Sequence, residues 1–549
     1  MRFRSPWLCS CLLVLSTATT VAQTPTPPPP PFPTGPSTDL GRQIAAIAAE
    51  PAVMRAHWGI AVTTLDGTPI YGLNEGEFFR PASNNKLFTT AAAMHLLGPS
   101  TRVTTIAKAD GPTDQTGTVK GNLILQGAGD ANISGRTFPY VSSAERKRLA
   151  AAAAAQGQPP APPPDPLRPL NDLAQRLVTA GIHHITGDII GDDSLWPWEP
   201  YASDWSIDDA VWGYGAPVSA LTINDNQLDL TVTPGAEAGK PGNVTLSPEI
   251  GYYQFHTDIK TVAAKAPASI RIDRDPGSHT IRVLGTVAMG EPYTTEIAID
   301  DPADFAARAF KMALENLGVK IDGRAVPVHK RSTDTSGFSE ESHAPIPSLP
   351  RSAASPTTGP PICLDKCPPH AELTSPTLAD DVTLTLKVSQ NLHAELLLHR
   401  LGAAYGTEAS SAQGTRVVRQ FLINAGLDPD DFIFYDGSGL SGHDLVTPRA
   451  TAKLLAYATA QPWFPQWRAA LPVGGEDGTL TTRFAKPPLK DHLFAKTGTL
   501  SEARALSGYV DCASGKTVIF SIMVDNHAPN TPADRDAMDR IVAAIAAND

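Results

Sequence analysis

Helical and β periodicities occur together at both ends of this 549-residue chain, and a long, mostly β stretch separates them. Near the N-terminus Leu40, Ile44, Ile47 and Ala48 recur at helical spacing, and "HWGIAVTTLDGTPIYGLN" follows as two β-rich runs around an Asp66-Gly67 turn. Near the C-terminus, helical periodicity in "LADDVTLTLKVSQNLHAELLLHRLG" gives way to the β runs "LFAKTGTL", "ALSGYVD" and "KTVIFSIMVD", then to a helix from about Pro532 to Ile545. Between them, "TVKGNLILQGAGD", "GIHHITGDIIGDDSLW", "NQLDLTVTPG" and "HTIRVLGTVAMG" alternate apolar and polar residues between turn signals. The distribution points to one domain of sheet and helices, of α/β (α+β) class, split by a large, mainly β insertion.

Composition shifts set the expected boundaries. Residues 1–22 carry Arg2 and Arg4, an apolar stretch from Trp7 to Leu15 and small residues before Gln23, the pattern of a secretory signal cleaved after Ala22. A lipid anchor on Cys11 is the alternative. Residues 23–37 are too proline-rich for a helix or a central strand and read as an extended spacer. The split domain is expected at 38–105 and 374–549, with the inserted β region at 106–330 and a Ser/Thr/Pro-rich linker at 331–373. The alanine- and proline-rich stretch around 151–169 reads as a surface loop.

The apolar stretch of the signal is shorter than the ~20 residues that span a bilayer, and no later segment reaches that length, so no integral membrane segment is expected in the mature chain. A formal charge of −12 excludes a nucleic-acid surface, which needs a basic stripe. Removal of the signal leaves Cys363, Cys367 and Cys512, with "CLDKC" most simply a local disulfide in an oxidising compartment. No second cysteine pair and no HExxH helix accompanies the isolated His183-His184 pair, so neither a metal nor any other cofactor is expected.

"RPASNNKLFTTAAAMHLLG" places Ser83 in the first turn of a helix whose apolar face runs through Leu87, Phe88, Ala91, Met94 and Leu97, with Lys86 one turn on. A serine hydroxyl is a poor nucleophile without a base in reach, and lysine, with an ordinary pKa of about 10.4, serves only if it is pushed down by roughly three units. Burial and a second cation supply such a shift. Alone, Ser83 is equally a helix cap and Lys86 an exposed lysine. "KVSQNLHAE" adds Ser389 and Asn391 on a connection between two helical runs, otherwise an ordinary polar link. "LFAKTGTL" adds Lys496, Thr497, Gly498 and Thr499 on a β run whose alternation sends Lys496 and Gly498 to one face. There the lysine offers the second cation, and the glycine lets a substrate backbone lie against the strand. The ordered set S-x-x-K, S-x-N, K-T-G is far more specific than its parts.

These residues resemble the penicillin-recognising serine enzymes, the penicillin-binding proteins and serine β-lactamases. The 306 positions from Ser83 to Ser389 resemble the class C low-molecular-mass penicillin-binding proteins, the D-alanyl-D-alanine carboxypeptidase/endopeptidase family of penicillin-binding protein 4 or DacB type. "GAGDANIS", "YGAPVSALTINDN", "SQNLHAE", "DGSGLS" and "DGTL" fit the same pattern. The resemblance implies a transpeptidase-like domain with an antiparallel sheet flanked by helices, acting in the periplasm on peptidoglycan stem peptides and acylated by β-lactams. By it, Ser83 attacks the penultimate D-Ala carbonyl, Lys86 takes its proton and Ser389 relays a proton to the leaving amine. Asn391 holds the peptide amide, Lys496, Thr497 and Thr499 engage the terminal carboxylate, and the N–H groups of Ser83 and Thr499 form the oxyanion hole.

Departures concern specificity. Gly442 stands where relatives often carry an arginine that binds the diaminopimelate side chain, His443 lacks that bidentate fork, and Ser501 replaces a larger polar residue. Asp192 carries over as the contact for the side-chain amine with Trp196 as a wall, Asp193 is the alternative, and a plain turn aspartate is the structural reading. A serine β-lactamase and a catalytically silent wall-binding scaffold are the competing functions.

Overall fold

The computed structural model describes residues 31–35, 38–160, 162–350, 370–529 and 531–548. The expected signal, most of the spacer, and Cys363 with Cys367 lie outside the described residues. Among the described residues no helix is long and apolar enough to cross a membrane.

The two ends of the chain build one five-stranded sheet, in the order Leu493–Leu500, Ala503–Asp511, Thr517–Asp525, His57–Thr64, Pro69–Leu73. All neighbours are antiparallel, and the joint between the ends runs from His57 opposite Asp525 to Thr64 opposite Val518. Both faces are covered, so His57–Thr64 is buried at six consecutive positions. Ile60 and Val62 point to one side, where they pack with Ile44, Phe520, Ile522, Ile541 and Val542 beneath the helices Asp39–Ala48 and Ala533–Asn548. Ala61 points to the other, with Phe88, Ala91, Leu397, Val418 and Met523. Strand alternation thus divides the sheet between two helical layers.

The insertion carries its own five-stranded sheet, ordered Ala325–Lys330, Ile189–Pro197, Leu123–Gln126, Thr104–Ala109, Ala371–Thr374. Entry and exit are adjacent: Thr104 lies opposite Thr374 and Ala107 opposite Ala371. The boundaries expected at 105/106 and 373/374 therefore fall inside strands, because alternation reveals a strand without revealing which sheet it joins. Among the described residues, three three-stranded sheets and the helices Arg168–Thr179 and Pro302–Asn316 also belong to the insertion.

Two stretches read as loops contain helix. Ser143–Ala155 is helical, capped by Ser142, whose hydroxyl accepts from the Glu145 N–H, and its alanine run favours helix without any buried face. Phe338–His343 forms a short helix inside the expected linker. Insertion and split domain meet through Ala131, Trp196, Val218 and Ala220 on one side and Leu392, Leu396 and Ala409 on the other.

Candidate active site

Ser83 sits in a 3-10 turn, Ala82–Asn84, which runs directly into the helix Asn85–Leu96. Ser83 thus precedes the α-helix expected to hold it in its first turn, and the tight turn brings residues three apart into register. Lys86 Nζ lies 2.8 Å from Ser83 Oγ, 2.6 Å from Asn391 Oδ1 and 2.8 Å from the Ser438 carbonyl. Every residue of the helix is buried, Lys86 completely.

Close packing behind Ser83 fixes the turn. Ala82 adopts φ +46°. A Cβ on Gly498 would fall 2.5 Å from the Pro81 carbonyl oxygen, and one on Gly439, itself at φ +82°, would fall 1.8 Å from that of Ala82. Gly498 therefore serves the approach of the Leu493–Leu500 strand to the turn carrying Ser83, a use different from the substrate approach expected of it.

Burial drives the Lys86 amine down to about 7, against the opposing pull of Asp436, Glu395 and Asp444. The second cation acts in the other direction from the one expected: Lys496 is driven well below its ordinary value, first by burial and then by the charge of Lys86. Two fully buried amines cannot both remain charged without mutual cost.

Ser389 lies between the helices Leu378–Lys387 and Asn391–Tyr405 at φ +62°, a conformation that costs a non-glycine residue on the order of 1 kcal/mol. Its Oγ accepts from Lys496 Nζ at 2.8 Å. Asn391 opens the second helix, with Oδ1 toward Lys86 and Nδ2 donating to the Tyr214 carbonyl at 2.8 Å. On the edge strand, Lys496 and Gly498 are buried while Thr499 is exposed, and Thr497 Oγ1 is 2.8 Å from Thr479 Oγ1.

A buried acidic layer lies beneath Lys86. Asp436 accepts from the N–H groups of Ser438, Gly439 and Ser441 at 3.1, 2.6 and 2.8 Å and from Trp205 Nε1 at 2.9 Å. Although burial opposes it, a hydrogen bond with Asp444, then those from Trp205, Gly439 and Ser441, hold Asp436 below the ordinary carboxylate value, while burial and the Asp436 charge push Asp444 far up. Glu395, which accepts from the Gly437 N–H at 3.0 Å, is raised by burial to about 8. None of these three acids belongs to a nucleophile or base motif: Asp436 opens the "DGSGLS" run, Glu395 closes "SQNLHAE", and Asp444 carries no sequence signal.

Ser83, Lys86 and Asn391 thus form one hydrogen-bonded group and Ser389 with Lys496 a second, and the charge of Lys86 acts on Lys496. Asp192 makes its hydrogen bonds within the insertion, accepting from Gln126 Nε2 at 3.2 Å and from the Ser194 N–H at 2.9 Å. Asp193 is engaged by Ser219 and by His329 Nδ1, each at 2.9 Å. Trp196 is only 3% exposed and packs on Leu392 and Leu396, so it belongs to the domain interface and not to an open pocket wall. Gly442 and His443 face Asp204, His443 Nε2 at 3.5 Å from Asp204 Oδ2. The insertion reaches the site instead through Trp205, on Asp436, and Tyr214, on Asn391. Trp205 carries no motif, and Tyr214, which opens the quoted "YGAPVSALTINDN", takes part through a backbone carbonyl that no residue type marks.

A serine hydroxyl beside a buried lysine amine, in a turn that leads into a helix against a five-stranded antiparallel sheet, marks the candidate site in a penicillin-binding-protein fold. The fold is shared with penicillin binding protein 4 (dacB) of Haemophilus influenzae, with a TM-score of 0.72, 21% identity, and coverage of 91% of this chain and 98% of that one. Residues 40–349 and 366–545 match the D-Ala-D-Ala carboxypeptidase 3 (S13) family, and the chain belongs to that family of serine-type D-Ala-D-Ala carboxypeptidases. It is 31% identical over 519 residues to the D-alanyl-D-alanine carboxypeptidase of Actinomadura sp. (strain R39), covering 91% of this chain and 84% of the relative. With the D-alanyl-D-alanine carboxypeptidase DacB of Haemophilus influenzae it shares 24% over 463 residues, 83% of this chain and 82% of that one.

Proposed function

We propose that the protein works in the periplasm as a D-Ala-D-Ala carboxypeptidase that also cuts D-Ala-diaminopimelate crosslinks of peptidoglycan, through an acyl-enzyme on Ser83. The observation that carries the reading is the placement of Lys86 Nζ at 2.8, 2.6 and 2.8 Å from Ser83 Oγ, Asn391 Oδ1 and the Ser438 carbonyl. A neutral amine has two N–H donors and one lone pair. Donation to Asn391 and Ser438 leaves the lone pair facing the Ser83 hydroxyl, the geometry of a general base.

In this mechanism Lys86 accepts the hydroxyl proton as Oγ bonds to the penultimate D-Ala carbonyl carbon. The oxyanion is met by the backbone N–H groups of Ser83 and Thr499, a contribution of order 3 kcal/mol per donor. The proton passes through Ser389 to the departing D-Ala nitrogen as the peptide bond breaks. Lys496, Thr497 and Thr499 hold the terminal carboxylate, and Asn391 orients the acyl-side amide once the substrate displaces the Tyr214 carbonyl from Nδ2. Water then attacks the ester and regenerates Ser83. β-Lactams acylate the same hydroxyl.

Asp192 remains the proposed contact for a side-chain amine, and the glycine at 442 leaves a free diaminopimelate carboxylate without an arginine partner. Incubation of wild type and Ser83→Ala with a stem pentapeptide ending in D-Ala-D-Ala tests the reading. Release of one D-alanine by wild type and none by the variant is expected; equal release would refute it. A crosslinked muropeptide digest read by mass reports the endopeptidase activity.

A further inference from the structure

His393 lies two residues beyond Asn391, at the contact between the split domain and the insertion, and is fully buried. Its Nδ1 is 2.6 Å from Asp381 Oδ1 and its Nε2 is 3.2 Å from Asp225 Oδ1. A ring with a carboxylate at each nitrogen must donate from both, so the geometry itself calls for the imidazolium. Asp381 belongs to the helix before Ser389, whereas Asp225 belongs to the insertion and adopts φ +57°.

Asp225 continues the chain of contacts back to the site. Its carboxylate is paired with both terminal nitrogens of Arg136 and accepts from Gln390 Nε2 at 2.7 Å. Gln390 is the residue between Ser389 and Asn391, and its Oε1 caps the following helix at the Leu392 N–H, 3.1 Å away. The left-handed turn at Ser389 is therefore gripped from two sides.

The charges around the histidine are accounted for on each packed element. On the insertion side Arg136 balances Asp225, with Glu296 also acting on Arg136. Around Asp381, Arg400 of the split domain and Asp130 of the insertion also act. Burial opposes the charge on His393, but Asp381 and Asp225 outweigh it and carry the ring up to about 9.

We propose that His393 is a positioning residue for acyl transfer: bridged between Asp381 and Asp225, it locks the turn carrying Ser389 and Asn391 to the insertion, so that a docked insertion sets the second motif. The inference rests on the acyl-transfer reading given above. Its consequence is that the inserted domain acts on the rate of chemistry through a salt-bridged hinge point, in addition to any contact with substrate.

The test compares wild type, His393→Asn and Asp225→Asn by the rate of acylation with a fluorescent penicillin from pH 6 to 10, with melting temperature recorded alongside. At pH 7 both variants are expected to acylate at least tenfold more slowly, with less than threefold change in the concentration giving half-maximal rate. Wild type is expected to lose rate as pH climbs through about 9, and His393→Asn to lack that limb. Wild-type rates in both variants overturn the proposal, as does a lowered melting temperature with the alkaline limb unmoved. Should His393→Asn fail to fold, Gln390→Ala removes only the arm to Asp225: a severalfold slower acylation supports the proposal and an unchanged rate overturns it. Wild type that takes no label would overturn the acyl-transfer reading, and this inference with it.

Discussion

Gly498→Ala probes the packing that holds Ser83, the proposed nucleophile. The new methyl carbon would stand 2.5 Å from the Pro81 carbonyl oxygen, 3.1 Å from the Ala82 Cβ and 3.2 Å from the Ala505 Cβ. Relief to 3.0 Å, the shortest separation such atoms adopt, takes a displacement of at least 0.5 Å between the Leu493–Leu500 strand and the turn. Neither partner yields freely, because the strand is paired to Ala503–Asp511 along its whole length and Lys496 Nζ is tied to Ser389. Overpacking of this kind costs about 1–3 kcal/mol of stability. A shift of that size at the reacting atoms slows acylation by roughly 10- to 100-fold, given that 1 Å of misplacement costs about 100-fold. Acylation by fluorescent penicillin and thermal melting, run together, are the assays. If the melting temperature holds and only the apparent substrate affinity weakens, the glycine serves substrate approach and the packing explanation is refuted.

Other perturbations address separate parts of the structure. With the neutral form of Lys86 proposed as the base, the acylation rate is expected to rise with pH through about 7, and Lys86→Met to lose roughly 10²- to 10⁴-fold at every pH. Asp477→Ala strips the carboxylate from Lys387 Nζ, 2.6 Å away and nearly buried, and is expected to cost about 3–5 kcal/mol in a denaturant melt. His329 is opposed by its own burial yet raised to about 9 by Asp193 and Asp301. A histidine raised in the folded state contributes stability that is full below its unfolded value near 6.5 and lost as pH rises through the folded one. The melting-temperature gap between wild type and His329→Gln should accordingly be widest below pH 6.5 and close by about pH 9.

The sequence carried the split sheet because its strands at both ends alternate strongly, and the five residues of the candidate site because each sits in a short run of distinctive chemistry. Other features depend on contacts between residues hundreds of positions apart. Asp436, Asp444 and Glu395 look like ordinary acidic residues until the fold buries them under Lys86. His393 reads as one polar position on a helix until Asp225 arrives from the insertion. Trp196 suggested a pocket wall because an aromatic beside acidic residues fits one, yet its indole fills the interface against Leu392 and Leu396. The strand Ala371–Thr374 was hidden in a linker because four residues beside a Ser/Thr/Pro-rich stretch carry too little periodicity to be seen. Lys86 shows the same limit for electrostatics: the downward shift follows from burial alone, whereas the sign of the neighbouring charges required three dimensions.

The central claim is that the Ser83 oxygen, deprotonated by the adjoining amine, becomes acylated. Wild type and Lys86→Met are each incubated with benzylpenicillin at pH 8, quenched in acid, digested and mapped by mass spectrometry. A penicilloyl adduct on the peptide containing Ser83, abundant within minutes in wild type and at least a hundredfold slower to appear in the variant, is the expected result. An adduct on another residue, or equal rates in the two proteins, would contradict it.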